Sequence, residues 1–195
     1  MNEVISMKTA IRERIRKERG ALDTRWARQA SRSVHEHATA LSEYACAHAV
    51  GAYFAMPGEV QTAELLERCW RDGKEVCVPA FEPDFDAYIF TGAHASSVLR
   101  EGMLGIPEPE THSLVEANAM TVVFVPGVAF DAHGGRVGHG AGHYDALLRD
   151  WASAFKIGLA FDFQIVDRVP TTPGDIAMDA VVTNSKIMLV EKQKT

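Results

Sequence analysis

The sequence is poor in cysteine and has no apolar stretch long enough to cross a membrane. Its three cysteines, Cys46, Cys69 and Cys77, form no CxxC pair and leave an odd thiol. This pattern excludes a disulfide framework and a zinc knuckle, and it predicts a reducing, cytoplasmic location. The first residues lack the apolar core of a signal peptide. The longest mostly apolar run, 44–56, contains His48 and is too short for a bilayer span, so no membrane role is expected.

Positive charge is scarce over most of the chain and concentrated at its start. Up to Arg32 there are nine Lys or Arg and four Asp or Glu, whereas the remaining residues hold eleven and twenty-two. The net charge of -6 gives no reason to expect general nucleic-acid binding. The basic segment indicates either a site for a local anionic ligand or a solvated helix face.

No internal repeat, low-complexity tract or long linker divides the chain. A length of 195 residues, 47% hydrophobic and 24% charged, is typical of an ordinary globular protein, so a single domain over residues 1–195 is predicted. Apolar residues at helical spacing predict a basic helix over 6–19 that ends near Gly20. A second helix, capped by Asp23 or Thr24, and a third over 62–72 follow.

Short apolar runs alternate with these helical patterns. Runs of this kind bounded by turns are typical of buried parallel strands, and they occur at 48–54, 75–79, 121–126 and 156–161. The segment 86–90 alternates like an edge strand, and 180–183 and 187–190 resemble late strands. The order predicts an α/β fold: one layered domain with a mostly parallel sheet, helices on both faces, and the basic helical segment in front.

The segment with the most chemical information is 125–147, VPGVAFDAHGGRVGHGAGHYDAL, which holds six glycines between Gly127 and Gly142. Without Cβ atoms, peptide N–H groups can crowd around an anion, and a helix starting near His143 would direct its N-terminal dipole at the same point. Phosphate is the expected ligand of this loop. The pattern is neither a P-loop nor a Rossmann fingerprint, and a purely structural glycine-rich turn is the alternative.

This loop resembles the signature of the 5-formyltetrahydrofolate cyclo-ligase family, also called 5,10-methenyltetrahydrofolate synthetase. Four further segments agree in order: the pair Lys8 and Arg12, PGEVQT at 57–62, GIPEP at 105–109, and GLAFDFQIVDRVP at 158–170 leading to Asp175 and Asp179. The resemblance covers nearly the whole chain. It implies ATP- and Mg²⁺-dependent closure of 5-formyltetrahydrofolate to 5,10-methenyltetrahydrofolate, with reduced folate and ATP as small-molecule partners, and we expect a monomer.

The resemblance also assigns roles to residues of this chain. Phosphate binding falls to Lys8, Arg12, Arg136, Gly138, His139, Gly140, Ala141, Gly142, His143 and Tyr144. Catalysis falls to Arg136 and Asp145, and Mg²⁺ to Asp145 and Asp175, because magnesium favours one or two carboxylates with phosphate oxygens and water. Substrate contacts are predicted for Phe54, Met56, Glu59, His139 and His143, with Glu59 accepting N–H bonds from the pterin.

Departures from the family pattern leave alternatives open. Ala141 replaces a glycine, His143 a tyrosine, Ala146 an arginine, and His139 a tyrosine or arginine. A diverged paralogue could act on another N-formyl compound, or bind folate or RNA without catalysis. His139, His143 and Asp145 could instead hold a transition metal, although a glycine-rich loop is a poor scaffold for fixed metal geometry.

Overall fold

The first quarter of the chain is helical in the computed structural model, which describes residues 2–102, 105–113, 115 and 122–191. Helix α1 (Asn2–Gly20) begins earlier than the predicted 6–19 and ends at the expected glycine. Helix α2 (Thr24–Thr39) begins after Asp23, whose carboxylate accepts a 2.8 Å hydrogen bond from the Trp26 N–H as predicted. A short helix, α3 (Ser42–Cys46), follows.

The rest of the chain alternates strands and helices. Strand β1 (Ala49–Gly51) leads to α4 (Ala63–Arg71) and then to β2 (Glu75–Glu82) and β3 (Ala87–Gly92). A small hairpin, β4 (Leu99–Glu101) with β5 (Pro107–Pro109), was not predicted from the sequence. The remaining elements are β6 (Val122–Val125), β7 (Ala129–Phe130), β8 (Arg136–Val137), α5 (His143–Asp150), β9 (Phe155–Leu159), β10 (Ala180–Val182) and β11 (Ile187–Leu189).

Seven strands form one sheet in the order β11-β10-β9-β6-β1-β2-β3. The five central strands are parallel, whereas β3 and β11 pair antiparallel at the two edges. The predicted mostly parallel sheet is confirmed, and so is the edge strand expected at 86–90. The first predicted strand, 48–54, is shorter, because the chain leaves the sheet after Gly51. Thr121 of the predicted strand 121–126 lies outside the described residues.

Helices cover both faces of this sheet. Alternate strand residues such as Val50 and Phe124 pack against α2 and α4, while Val123 and Val125 pack against α5. Burial on both faces explains why the strands are continuous apolar runs and do not alternate apolar with polar residues. No helix in the described ranges has the length and hydropathy that a membrane span requires.

Helix α1 packs against a second small hairpin formed by β7 and β8. Ile15 is fully buried and contacts a cluster that includes Val128, Val137 and Val169. The hairpin is fixed by Asp131, whose carboxylate accepts hydrogen bonds from the N–H groups of His133, Gly135 and Val169 at 2.7–2.8 Å. This packing places the basic face of α1 next to the segment that follows β8.

Candidate functional site

A cavity lies at the carboxyl end of the sheet, where β1 and β6 are neighbours. The chain passes from β1 to β2 on one side and from β6 to β9 and β10 on the other. A crevice at such a reversal is where open α/β sheets bind ligands. The cavity has a volume of about 500 Å³, which is within the range of small-molecule sites. Tyr53 and Phe54 follow β1 into its wall, and Pro126 follows β6.

Every residue that the sequence assigned to the site lines this one cavity. They come from α1, from the segment after β1, from the stretch that runs from β8 to the first turn of α5, and from the loop before β10: Lys8, Arg12, Phe54, Met56, Glu59, Arg136, Gly138, His139, Gly140, Ala141, Gly142, His143, Tyr144, Asp145 and Asp175. Residues separated by more than a hundred positions in the chain are therefore brought together by the fold.

The segment 138–142, called the glycine-rich loop below, connects β8 to the first turn of α5. Gly140 and Gly142 have φ angles of 113° and 75°, which side chains other than glycine rarely adopt. Gly142 is the N-cap of α5 and has no side chain to satisfy the first helical N–H groups. A helix N-terminus approached by a glycine-rich backbone is an environment that favours an anion.

Three cationic side chains reach the glycine-rich loop or its flanks. The Arg12 Nε donates a 2.8 Å hydrogen bond to the carbonyl oxygen of Gly138, which holds α1 against the loop. Lys8 contacts both carboxylate oxygens of Asp175, at 2.8 and 2.6 Å. Arg136 is 7% exposed and donates to Asp145 Oδ1 at 2.8 Å. The cations expected at the phosphates therefore lie on one side of the cavity.

Two carboxyl groups, those of Asp145 and Asp175, lie on the same wall. The N–H of Ile176, the residue after Asp175, donates to Asp145 Oδ1 at 3.2 Å. Burial opposes ionisation of Asp175, but hydrogen bonds from Lys8 and Thr172 outweigh it and hold the pKa of this carboxyl below its usual value. Carboxylate oxygens are the ligand type that Mg²⁺ takes, so the donor chemistry fits the predicted metal.

The alternative metal site of two histidines and a carboxylate is not assembled. His139 lies 3.0 Å from the Glu59 carboxylate, and the His143 ring contacts the Tyr88 ring with centroids 4.8 Å apart. Asp145 pairs with Arg136 instead. Among the described residues, no group of three or more His, Cys, Asp or Glu side chains could hold a metal ion.

Glu59 is buried where the cavity meets the region between α1 and α2. It is 3% exposed. Its Oε1 lies 3.0 Å from His139 Nε2 and 3.8 Å from Arg19 Nη1, and its Oε2 accepts from the Met56 N–H at 3.1 Å. Burial, followed by the negative charge of Glu59, raises the pKa of the Tyr144 phenol well above its ordinary value. Tyr144 therefore stays neutral at the cavity wall.

The sequence did not single out several other residues that line the cavity. These are Tyr53, Pro79, Tyr88, Ile106, Glu108, Pro126 and Leu147. Ile106 and Glu108 belong to the GIPEP segment that supports the resemblance, but no role was attached to them. Tyr88 lies on the predicted edge strand, and the alternating pattern of that strand does not indicate that Tyr88 lines a ligand cavity. The apolar members of this set cannot be told from core residues by sequence pattern alone.

Comparison with known proteins identifies the family. The model of the 5-formyltetrahydrofolate cyclo-ligase family matches residues 4–184. The 5-formyltetrahydrofolate cyclo-ligase of Haemophilus influenzae is 34% identical over 173 residues, 86% of this chain and 92% of the relative, and that of Escherichia coli strain K12 is 37% identical over 147 residues, 72% and 80%. The NMR structure of Aquifex aeolicus 5,10-methenyltetrahydrofolate synthetase matches with a TM-score of 0.86 and 29% identity, over 97% of this chain and 95% of that one. The chain therefore belongs to the 5-formyltetrahydrofolate cyclo-ligase family.

Proposed function

We propose that the protein closes 5-formyltetrahydrofolate to 5,10-methenyltetrahydrofolate with consumption of ATP. The observation that carries this proposal is one cavity with two chemically different ends. One end has the glycine-rich loop, the N-terminus of α5 and the cations Lys8, Arg12 and Arg136. The other end has the buried carboxylate of Glu59 and the apolar side chains of Phe54 and Met56. A polyphosphate suits the first end and a flat heterocycle with N–H donors suits the second.

The chemistry requires an activated formyl group, because an N-formyl amide is a weak electrophile with a poor leaving group. Transfer of the γ-phosphoryl group of ATP to the formyl oxygen forms an O–P bond and releases ADP. N10 then attacks the formyl carbon and loses its proton, while the C–O bond breaks and phosphate leaves. The protein contributes mainly by positioning the two substrates and by stabilising charge on the phosphoryl oxygens.

The residues divide between these tasks according to their charge and position. Lys8 and Arg12 meet the phosphates from α1, and Arg136 neutralises charge on the transferred group from β8. The N–H groups of the glycine-rich loop bind the phosphoryl oxygens. A polyphosphate at this end competes with Asp175 for Lys8 and with Asp145 for Arg136, so ATP binding is expected to exchange intramolecular ion pairs for contacts with the nucleotide.

Asp145 and Asp175 would hold Mg²⁺ once these cations engage phosphate. The ion would supply positive charge that offsets the negative charge of the phosphates. Phe54 and Met56 would pack against the pterin. Glu59 lies beside Met56, and its Oε1 contacts His139. Since His139 belongs to the glycine-rich loop, this contact connects the loop to the folate end of the cavity.

A direct assay tests this function. Purified protein is mixed with 5-formyltetrahydrofolate, ATP and Mg²⁺, and the absorbance of the methenyl product is followed. Formation that requires both ATP and Mg²⁺ is expected, and the variant Arg136→Met should lose it. Arg149→Met, which removes an exposed arginine of the same region, is the matched control and should keep it. Absence of ATP-dependent product at high enzyme concentration would refute the proposal.

The same assay separates the diverged-paralogue alternative. Other N-formyl compounds replace 5-formyltetrahydrofolate, and ATP hydrolysis is measured with each. If another compound supports faster turnover than the folate, the nucleotide end of the cavity is assigned correctly but the substrate is not.

A further inference from the structure

One carboxylate of the cavity, that of Glu108, has no hydrogen-bond or ion-pair partner among the described residues. Four carboxylates line the cavity: Glu59, Glu108, Asp145 and Asp175. Three of them have a cationic partner: Glu59 pairs with Arg19, Asp145 with Arg136, and Asp175 with Lys8. Within the described part of the chain, no hydrogen bond or ion pair reaches the Glu108 carboxylate, and the residue is only 3% exposed.

A close contact within the β4–β5 hairpin determines the position of the Glu108 side chain. It lies on β5 of the hairpin, and its side chain rests on the backbone of Gly102. A Cβ at Gly102 would come within 2.2 Å of the Glu108 Cδ, so any larger residue would displace the carboxylate. The same hairpin contributes Ile106 to the cavity wall. The carboxylate is thus held at the cavity by the close approach of a glycine.

The lining of the cavity also includes a residue with a buried hydroxyl that has no partner in the described part of the chain. The hydroxyl of Tyr88 is buried and has no hydrogen-bond partner among the described residues. Burial, followed by the negative charge of Glu108, raises the pKa of the Tyr88 phenol. Both groups line the same cavity, together with Pro79 of β2. Buried polar groups without partners are rare and unfavourable in folded proteins, and they indicate a place where a ligand supplies the missing hydrogen bonds.

We propose that Glu108 is a substrate-binding residue that accepts hydrogen bonds from N–H groups of the reduced pterin, with the Tyr88 hydroxyl as its neighbouring contact. This inference rests on the proposed function, since it takes reduced folate as the ligand. The oxygens of Glu59 are already engaged by His139, Arg19 and the Met56 N–H. Both oxygens of Glu108 lack such contacts among the described residues, so Glu108 offers more acceptor capacity to the N–H donors of a ligand than Glu59 does.

The test compares binding of 5-formyltetrahydrofolate, titrated without ATP, in wild type and in Glu108→Gln. The side chain is nearly isosteric but loses its charge and presents an amide donor. We expect the folate dissociation constant to rise at least tenfold, while the KM for ATP changes less than twofold. Glu110→Gln alters an exposed carboxylate two residues further along and should bind folate like the wild type. Tyr88→Phe should weaken binding by a few-fold.

Thermal unfolding without ligand distinguishes a binding role from a structural one. Removing an unpaired buried charge should leave the melting temperature of Glu108→Gln equal to that of the wild type or higher. Loss of folate binding together with a lower melting temperature would mean that Glu108 supports the fold, and the proposal would be wrong. Wild-type folate affinity in Glu108→Gln would also overturn it.

Gly102→Ala provides an independent variant, because it displaces the carboxylate without changing its chemistry. It should weaken folate binding to an extent similar to Glu108→Gln. These titrations separate the two proposals: a wild type that binds folate through Glu108 but forms no methenyl product would refute the proposed reaction alone. Turnover by the wild type with undiminished folate binding in Glu108→Gln and Gly102→Ala would refute the role of Glu108 alone.

Discussion

Most charged side chains in the cavity neutralise one another in pairs. Lys8 binds Asp175, Arg136 binds Asp145, and Glu59 lies between His139 and Arg19. The Lys8–Asp175 and Glu59–His139 contacts join parts of the chain that are distant in sequence, whereas Arg136 and Asp145 are nine residues apart. Each contact includes at least one residue predicted to meet a substrate. The pairs keep the charges compensated without ligand, and a polyanion such as ATP offers the cations a stronger partner.

Replacing Lys8 with Met should have two separable effects. The hydrogen bonds from Lys8 help to hold the pKa of the Asp175 carboxyl below its usual value, so their loss should raise this pKa, measurable by NMR titration. Catalytic efficiency with ATP should fall by about one to two decades, because a charge-assisted contact is worth roughly 1.5–3 kcal/mol. Folate binding should be unaffected.

The control for this variant is Lys17→Met, which removes an exposed lysine of the same helix. It should change neither the Asp175 pKa nor the use of ATP. A raised folate KM with unchanged ATP kinetics in Lys8→Met would contradict the assignment of Lys8 to the phosphates.

Replacing Asp145 with Asn tests the predicted metal ligand. The amide keeps one oxygen but loses the negative charge, so activity should fall and excess Mg²⁺ should restore part of it. The measurement is a Mg²⁺ titration of turnover, in which the half-saturating concentration should rise. Asp150→Asn, on the exposed end of α5, serves as the comparison. An unchanged Mg²⁺ titration in Asp145→Asn would leave this side chain only its structural contact with Arg136.

At the level of elements, the sequence predicted the strands and helices better than the hairpins. Buried parallel strands and amphipathic helices leave patterns along the chain, and β2, α2 and α4 lie close to where those patterns placed them. The β4–β5 and β7–β8 hairpins have two or three residues per strand. Such short elements leave no detectable period, and their positions depend on contacts far away in sequence.

The candidate site shows the same division. The glycine spacing at 138–142 predicted an anion site from the residues themselves, whereas roles for Lys8, Glu59 and Asp175 came only from the family resemblance. Glu108 was not predicted, because its burial is produced by the close approach of Gly102. A side chain that is buried by a single glycine contact in a short hairpin resembles an ordinary surface glutamate in the sequence.

Asp131 is the element-scale test, because its carboxylate joins the β7–β8 hairpin to the segment at Val169. The side chain is 1% exposed and accepts three N–H hydrogen bonds. Asp131→Ala leaves these donors buried without an acceptor, so the free energy of unfolding should fall by about 3 kcal/mol in urea titration. Asp167→Ala, at an exposed position nearby, should change it by less than about 0.5 kcal/mol.

This variant also tests how α1 is held. The helix packs on the hairpin through Ile15 and carries Lys8 and Arg12 into the cavity, so local loosening of the hairpin should raise the KM for ATP. Destabilisation with an unchanged ATP KM would show that α1 keeps its position without the Asp131 hydrogen bonds.

At the level of the whole molecule, pH should limit stability from both sides. On the acid side, hydrogen bonds hold the pKa values of Asp72 and Asp175 below the ordinary value despite the opposing effect of burial. Carboxyl groups with lowered pKa values stabilise the folded state above their unfolded pKa, and this stabilisation is lost as pH falls through the folded pKa. The free energy of unfolding should therefore decline below about pH 4.

On the alkaline side, the buried thiols should contribute to the decline of the free energy of unfolding with rising pH. Burial raises the pKa of Cys69 to about 11 and that of Cys77 to about 12. An unfolded thiol ionises near pH 8.5, so the stabilisation is complete below that pH and is lost as pH rises towards the folded values. Each thiol contributes a slope of up to about 1.4 kcal/mol per pH unit in this window.

Cys77→Ala should lower stability at pH 7, because it leaves a cavity, but should flatten the decline of unfolding free energy between pH 9 and 11. Cys46→Ala, at an exposed thiol, should leave the slope unchanged; equal slopes in wild type and Cys77→Ala, measured by urea unfolding at each pH, would show that the buried thiol is already ionised or exposed in the native protein.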